Sequence, residues 1–324
     1  MFTKLIDALK ATRRTIVFTE GPDARILEAA DRLIKDDLMN VILIGNVDEV
    51  KAAAAKGGFD IAKAEIIDPA TYAGMDEMVA KMVELRKGKM SEEDCRAALA
   101  KGNYFGTMLV KMGKADCLLG GATYSTADTV RPALQLIKTK PGNKIVSSCF
   151  IMVRPAASGE NEVLAMADCA INIKPNEDEL VEICKETVSC AKIFGVDPKV
   201  AFLSYSTLGS GKGEDVDKMR NACEKAKALM PDTPIGGEFQ FDAAVSPAVA
   251  KTKHITDAVG GHANTFIFPD INAGNIGYKI AQRLGNFAAY GPILLGLNAP
   301  INDLSRGCNA QEVYSMAIIT AALA

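Results

Sequence analysis

Short apolar runs that alternate with helical patterns are the feature that most constrains how this chain can fold. Between the runs, apolar residues recur every three to four positions, as on one face of a helix, for example at residues 24–35, 76–86 and 127–137. This alternation is typical of parallel sheets covered by helices, whose buried strands are continuously apolar. The sequence therefore predicts an α/β fold with strands at residues 15–18, 41–44, 117–119, 144–152, 162–165, 201–203, 265–268 and 292–297.

The length of the chain and two turn-rich joints predict how it divides. At 324 residues it exceeds what one hydrophobic core usually supports, so we expect two domains. The sequences KPGN at residues 140–143 and AYGP at residues 289–292 combine proline with glycine, which favours turns. We predict one domain from residues 1–142 together with 292–324, and a second from residues 143–291.

Composition excludes several classes of protein. The net charge is −3 and the basic residues are spread along the chain, so we expect no nucleic-acid partner, and an anionic ligand would need local arginines. Eight cysteines without a CxxC pair and only two histidines predict no metal site. Neither a signal-peptide core nor a run of about 18 apolar residues occurs, so we expect no membrane association, a cytoplasmic location and free thiols.

The polar segment NDLSRGCNAQE at residues 302–312 is the strongest candidate for a binding site. It follows the apolar run at residues 292–297 and precedes a helical pattern, which is where α/β proteins place ligands. Ser305, Arg306, Gly307 and the free N–H groups of a new helix together suit a small oxyanion. An alternative interpretation applies to Glu312, because Asn309-x-x-Glu312 is also the pattern of a helix capping box.

Three further segments carry candidate residues, each with a structural alternative. GGATYSTADTVRP at residues 120–132 supplies hydroxyls and Arg131, although its hydroxyls also suit helix capping. Arg86 lies in LRKGK, where basic residues favour the end of a helix. The segment SYSTLGSGKG at residues 204–213 lacks the glycine and hydroxyl spacing of a P-loop, so a turn is favoured over a kinase or ATPase site.

Four motifs in the same order carry a resemblance that no single motif would. Together with FTEGPDARILEAA at residues 18–30, the chain resembles the phosphate acetyltransferase family over residues 14–324 through PINDLSRGC at 300–308, STADTVRPALQ at 125–135, GGEFQFDAA at 236–244 and FPDINAGNIGYKIAQRL at 268–284. The resemblance implies two three-layer αβα domains with mostly parallel sheets, similar to isocitrate and isopropylmalate dehydrogenases. It also implies insertion of the second domain into the first, an active site in the interdomain cleft and a homodimer.

The resemblance further implies the reaction and its residues. An acetyl group would move reversibly between coenzyme A and inorganic phosphate, by direct attack of the thiolate on acetyl phosphate in a ternary complex. Ser305 and Arg306 match the family's SRG motif, and Glu312 stands where an aspartate usually serves as general base. Arg86 and Arg131 match the other two active-site arginines, and we add Ser125, Thr126 and Asn302 as substrate-binding candidates. No cofactor is expected, although activation by a monovalent cation is allowed.

Three alternatives stay open at this stage. A phosphate butyryltransferase would share the chemistry and differ in its acyl pocket. A decarboxylating dehydrogenase that depends on a metal and a nicotinamide would share the architecture but not the reaction. A protein that binds coenzyme A without turnover would fit if the glutamate at position 312 marks lost activity. Cys308 is a rival nucleophile, but neither histidine is near it in the sequence.

Overall fold

The computed structural model describes residues 2–156 and 159–324, which form two compact units. One unit comprises residues 2–141 together with residues 297–324, and the other comprises residues 142–296. The first part of the discontinuous unit contains α1 (Phe2–Ala11), β1 (Thr15–Phe18), α2 (Ala24–Lys35), β2 (Asn40–Ile44), α3 (Val47–Gly57), β3 (Glu65–Ile67), α4 (Met75–Arg86), α5 (Glu92–Leu99), α6 (Gly102–Lys111), β4 (Cys117–Gly120) and α7 (Thr126–Pro132).

The helix predicted at residues 127–137 is interrupted near its middle. The α-helical part, α7, ends at Pro132, and a π-helical turn continues over Ala133–Ile137. Proline has no N–H to donate to the preceding turn, which disfavours a continuous α-helix. After it, the N–H of Lys138 donates to the carbonyl of Ala133, five residues back, as in a π-helix.

The contiguous unit contains the next six strands, β5 to β10. Its elements are β5 (Ser147–Pro155), β6 (Asn161–Ala167), α8 (Glu177–Ile193), β7 (Val200–Leu203), α9 (Glu214–Leu229), β8 (Ile235–Phe239), α10 (Phe241–Val245), α11 (Pro247–Thr252), β9 (Thr265–Ile267), α12 (Ile271–Arg283) and β10 (Ala288–Leu295). The six-stranded sheet has the order β10-β5-β6-β9-β7-β8, with β6, β9, β7 and β8 parallel and β5 antiparallel to both of its neighbours. Helix α12 packs over a core that includes Phe150, Met166 and Phe266.

The strand predicted at residues 292–297 was expected in the first domain but lies in the six-stranded sheet of the contiguous unit. Residues 288–295 form β10, which pairs antiparallel with β5 in the six-stranded sheet. The chain returns to the discontinuous unit after residue 296, five residues later than predicted, and then forms β11 (Ile301–Asp303) and α13 (Ala310–Ala322). The strand that precedes the polar segment is therefore β11, which includes Asn302 and Asp303.

The five-stranded sheet of the discontinuous unit is entirely parallel, in the order β11-β4-β1-β2-β3. Ile16, Val17 and Phe18 of its central strand are inaccessible to solvent, as continuous apolar runs predict. Helix α6 packs on one face, where Gly106 permits close approach to Val17 and Leu118, and α13 packs with α2. The prediction of an α/β fold with mostly parallel sheets is confirmed.

In the described ranges, no helix is both long enough and apolar enough to span a bilayer.

Candidate active site

Three loops meet at one edge of the five-stranded sheet because their strands are neighbours. Strands β11, β4 and β1 are adjacent and parallel, so the loops that follow them leave the same edge. From β1 the chain adds β2 and β3 on one side, whereas β4 and β11 lie on the other, so β1 and β4 flank the point where the strand order reverses. Open parallel sheets bind ligands at such a point. We call the segments at residues 121–125 and 304–309 the hydroxyl loop and the SRG loop.

Glu20 ties the chain after β1 to the hydroxyl loop. Its carboxylate accepts hydrogen bonds from the N–H of Gly121 at 3.0 Å and the N–H of Thr123 at 2.6 Å. The hydroxyl of Thr123 adds a third at 2.8 Å. These N–H groups are consequently used inside the protein, and they do not form a free anion-binding nest.

Asp303 ties the end of β11 to the start of α7. The residue is buried, and its two carboxylate oxygens accept hydrogen bonds from Thr126 Oγ1 at 2.6 Å and Thr129 Oγ1 at 2.5 Å. Burial raises the pKa of Asp303, and the two hydroxyls oppose that change. A side chain at Gly121, where φ is +102°, would overlap this carboxylate. Helix α7, which carries Arg131, is thereby fixed beside the SRG loop.

Arg25, in the first turn of α2, links the hydroxyl loop to the SRG loop. Its Nη2 donates to the carbonyl of Ala122 at 2.9 Å. Its Nη1 donates to the carbonyls of Arg306 at 2.8 Å and Cys308 at 3.2 Å. These three acceptors are main-chain atoms, and Nη1 also makes a longer contact with Cys308 Sγ at 3.8 Å, so Arg25 fixes the path of both loops.

Asp23 holds the Arg25 guanidinium in place. Its two carboxylate oxygens accept from Arg25 Nε at 2.9 Å and Nη2 at 2.7 Å, and it also caps α2 by accepting from the N–H of Arg25. The hydrogen bonds from Arg25 hold the pKa of Asp23 below its ordinary value of 3.8, and Asp23 in turn raises the pKa of Arg25. The pair is therefore charged at neutral pH.

The three arginines singled out from the sequence have free guanidinium groups. Arg306 lies in the SRG loop and Arg131 in the last turn of α7, and both are exposed. Arg86 ends α4 and is partly exposed, with a buried Nε that has no acceptor. Within the described chain, none of the three makes a hydrogen bond or an ion pair through its side chain. Guanidinium groups without internal partners are suited to an anionic ligand.

Arg86 and Arg131 both approach Tyr104. Burial raises the pKa of this phenol, and each of the two arginines acts to lower it. The Tyr104 hydroxyl donates to Gln135 Oε1 at 2.9 Å. Gln135 also lines a cavity of about 230 Å³ with four basic side chains, which are Arg86, Lys87, Lys89 and Lys138. The structure thus groups Arg86 with Arg131 around Tyr104, and hydrogen bonds to Asp303 tie the helix that carries Arg131 to the residue before the SRG loop.

Three of the predicted substrate-binding side chains have partners inside the protein. Ser125 donates to Asp128 Oδ2 at 2.7 Å, and this bond lowers the pKa of Asp128. Thr126 donates to Asp303, as described above. Asn302 is fully buried and donates to Thr320 Oγ1 at 2.9 Å. In this arrangement their side chains stabilise the loops, and their contact with substrate stays a prediction.

Glu312 forms the capping box that its spacing predicted. Its Oε2 accepts from the N–H of Asn309 at 3.0 Å, and Asn309 accepts from the N–H of Glu312 at 2.9 Å. Oε1 receives no hydrogen bond from the part of the chain that the structure describes. Capping is therefore observed, and the open oxygen leaves the residue able to accept a proton.

Ser305 and Cys308 differ in access within the SRG loop. Ser305 is exposed, and its Oγ accepts from the N–H of Gly307 at 3.3 Å. Cys308 is buried, and burial raises the pKa of its thiol. A thiol with a raised pKa is a weak nucleophile at neutral pH, so the serine is the more available of the two.

The glycine-rich segment at residues 206–213 is held by hydrogen bonds to Ser206 within it and to Glu238 of β8. The N–H of Gly211 donates to Ser206 Oγ at 2.9 Å, and the N–H of Gly209 donates to Glu238 Oε1 at 2.6 Å. These two N–H groups are thus used inside the protein rather than offered to a phosphate, in agreement with the turn interpretation.

Sequence reasoning missed the residues that hold the loops together, namely Glu20, Asp23, Arg25 and Asp303. All except Asp303 lie in FTEGPDAR, a motif that contributed only to the resemblance. A charged D-x-R pair just after a buried strand was the available signal, because charges at that position need partners.

Comparison with known proteins gives the family. The family model described as "Phosphate acetyl/butaryl transferase" matches residues 1–321. The chain belongs to this family. It is 54% identical to the phosphate acetyltransferase of Bacillus subtilis (strain 168) over 309 residues, which cover 95% of this chain and 94% of that protein.

Solved structures agree with the family and with the predicted fold. The structure of a phosphotransacetylase from Streptococcus pyogenes matches with a TM-score of 0.95 and 53% identity, over 99% of this chain and 97% of that one. A putative 4-hydroxythreonine-4-phosphate dehydrogenase from Salmonella typhimurium matches with a TM-score of 0.55 and 14% identity, over 97% of this chain and 100% of that one. The second likeness concerns the fold alone and agrees with the predicted dehydrogenase-like architecture.

The charged Asp23–Arg25 pair makes the stability of the protein depend on pH. Because folding lowers the pKa of Asp23, its ionised carboxylate stabilises the folded protein fully above pH 3.8. This stabilisation is lost as the pH falls through the lower pKa that Asp23 has in the folded protein. We expect Asp23→Asn, which keeps the helix cap, to lower the free energy of unfolding by about 1–2 kcal/mol at neutral pH. Urea denaturation should show the difference from wild type shrinking below pH 3.8.

Asp48→Asn, which changes an exposed carboxylate in the first turn of α3, is the matched control. A stability difference between wild type and Asp23→Asn that stays constant across this pH range would contradict the role of the ion pair.

Proposed function

We propose that the side chains at the carboxyl edge of the five-stranded sheet carry the reversible transfer of an acetyl group between coenzyme A and inorganic phosphate. The sequence prediction of this acyltransferase activity is confirmed by the family match and by 54% identity to the phosphate acetyltransferase of Bacillus subtilis. The observation that carries the assignment of the site is the pair of open guanidinium groups, Arg131 and Arg306, on two segments joined by Asp303 and Arg25.

Arg131 and Arg306 would hold the phosphoryl group of acetyl phosphate. A guanidinium stays charged at all relevant pH values and grips phosphate oxygens through two parallel N–H groups. Negative charge develops on the carbonyl oxygen and on the departing phosphate as the acyl carbon is attacked. The exposed hydroxyl of Ser305 would stabilise the first of these charges, and the two arginines the second.

Glu312 would accept the proton of the coenzyme A thiol. A thiol of ordinary pKa, about 8.5, is only a few per cent thiolate at neutral pH, and a positioned base typically adds about 10²- to 10⁴-fold in rate. The capping bond fixes one carboxylate oxygen, and Oε1 is left for the thiol. The resulting thiolate attacks the acetyl carbon directly, so both substrates are bound at once.

The basic cavity around Arg86 supports a role in binding coenzyme A. Arg86, Lys87, Lys89 and Lys138 place positive charge around a space that has no internal counter-ion within the described residues. Coenzyme A carries phosphate groups far from its thiol, and lysine and arginine are their natural partners. Through Tyr104, this cavity lies close to Arg131.

Competing functions are less well supported. Burial of Cys308 raises the pKa of its thiol, so a covalent acyl-cysteine is disfavoured. Butyryl transfer is not favoured by the relatives at high identity, and the likeness to a dehydrogenase concerns only the fold. We propose direct transfer without a metal or an organic cofactor. All eight cysteines are free thiols, which supports a reducing, cytoplasmic location.

Acetyl-coenzyme A formation from acetyl phosphate and coenzyme A, followed by thioester absorbance in chelator-treated enzyme, tests this proposal. Arg306→Ala should lower kcat/KM by at least about 10²-fold, because it removes a guanidinium from the departing phosphate. Glu312→Gln separates the two roles of Glu312, since a glutamine still forms a capping box but cannot accept the proton. We expect Glu312→Gln to lower kcat by about 10²-fold or more at unchanged thermal stability.

Lys56→Ala, which removes a cation in the last turn of α3, is the control for lost positive charge. Wild-type kcat in Glu312→Gln would show that this residue only caps α13. Full activity in Arg306→Ala would show that Arg306 does not hold the phosphoryl group.

We also propose that the protein is a homodimer that associates through helix α12. Ile276, Ile280 and Leu284 recur every four residues on one face, with 58%, 54% and 80% of their surfaces exposed. Beside them, a cavity of about 540 Å³ is lined mostly by apolar residues, including the exposed Phe241 and Val245, together with Arg154 and Glu162. Exposed apolar residues grouped in this way mark an interface, and a second copy supplies the same face by two-fold symmetry.

Light scattering tests the dimer. Wild type should have twice the chain mass of 34.4 kDa, and Ile280→Glu should shift the protein toward one chain mass, because it places a charge in the apolar face. Leu229→Glu, at the end of α9 with 56% exposure but outside the stripe and the cavity lining, should leave the dimer intact. A monomeric wild type, or a dimer that tolerates Ile280→Glu, would contradict this interface.

A further inference from the structure

Arg25 differs from the other arginines near the site in that all of its donors are used. A guanidinium carries five N–H groups. In Arg25, Nε and one N–H of Nη2 bind Asp23, the second N–H of Nη2 binds Ala122, and the two N–H groups of Nη1 bind the carbonyls of Arg306 and Cys308. A phosphate oxygen could therefore be bound only by breaking one of these bonds. Arg25 is built to hold protein rather than substrate.

The two carbonyls in the SRG loop belong to peptide groups whose opposite ends face the predicted catalytic side chains. A peptide group is planar, and its carbonyl and N–H point in opposite directions. The peptide that joins Arg306 to Gly307 accepts from Arg25 and donates to Ser305 Oγ. The peptide that joins Cys308 to Asn309 accepts from Arg25 and donates to Glu312 Oε2. One guanidinium thus fixes the orientation of two peptide groups, and those groups fix Ser305 and Glu312.

We infer that Arg25, held by Asp23, is a positioning residue for acetyl transfer: it sets Ser305, Arg306 and Glu312 in their working geometry without touching substrate. This inference rests on the proposed function of those three residues. A displacement of about 1 Å in a catalytic group can lower the rate by about 10²-fold. Loss of the hydrogen bonds from Arg25 should therefore lower mainly kcat. Coenzyme A binding through Arg86 should change little.

Lysine is not an adequate replacement. A lysine ammonium has three donors without a fixed plane, so it cannot serve five acceptors that lie in a fork. We expect Arg25→Lys to be intermediate between wild type and Arg25→Ala. Because Arg25 is 28% exposed, the space left by Arg25→Ala is open to a free guanidinium ion.

The experiment measures kcat and KM for acetyl phosphate and coenzyme A in wild type, Arg25→Ala, Arg25→Lys and Arg32→Ala. Arg32 lies two turns further along α2 and also contacts the C-terminal segment, through Gln311, so it is the matched control. We expect Arg25→Ala to lower kcat by about 10- to 100-fold with a smaller change in KM for coenzyme A. Guanidinium, at concentrations well below those that unfold the protein, should restore part of this kcat and saturate. Arg32→Ala should stay near wild type and show no such response.

Amide hydrogen exchange of Gly307 and Asn309 provides a readout that does not depend on turnover. Exchange at both should accelerate in Arg25→Ala and not in Arg32→Ala. Wild-type kcat in a folded Arg25→Ala, or an activity loss that only follows the unfolded fraction and ignores guanidinium, would overturn the inference. An inactive wild type would instead contradict the proposed function. Unchanged exchange at Gly307 and Asn309 in Arg25→Ala would then also contradict the role of Arg25 in fixing the two peptide groups.

Discussion

The side chain of Arg25 is the contact on which the geometry of this site depends. The loops that carry Ser305, Arg306 and the hydroxyls after β4 lie at chain positions far from α2, and neither loop has regular secondary structure of its own. A single guanidinium, neutralised by Asp23, joins them through three main-chain carbonyls. Because main-chain acceptors are bound, the clamp fixes the path of the loops whatever their side chains are, and the exposed side chains are left for substrate.

A simple division of labour follows among the charged residues of the discontinuous unit. Glu20, Asp23, Arg25 and Asp303 have internal partners and hold the loops. Arg86, Arg131 and Arg306 have none within the described chain, so their charge is directed outward. A cation that is already bound to carboxylates is a poor phosphate ligand, whereas an arginine held open by its surroundings pays no cost to break an ion pair. Charged residues with internal partners therefore hold the loops, and charged residues without them are left to bind substrate.

The sequence predicted the fold well where the signal was local. Continuous apolar runs such as residues 15–18 and 41–44 became parallel strands, and the capping box at Asn309 and Glu312 formed as its spacing indicated. It failed where partners are distant. Strand β11 has three residues and only one of them is apolar, and the antiparallel pairing of β10 with β5 depends on tertiary contacts. The acceptors of Arg25 in the SRG loop lie more than 280 positions away, so no local pattern could reveal them.

A crystal structure of the protein with inorganic phosphate and coenzyme A would show which guanidinium groups bind phosphate and whether Arg25 keeps its contacts with the two loops. We predict phosphate bound by the guanidinium groups of Arg131 and Arg306, with the hydrogen bonds of Arg25 to Asp23 and to the three loop carbonyls retained. Phosphate bound to Arg25 in place of one of its carbonyl acceptors, or bound away from both Arg131 and Arg306, would contradict it.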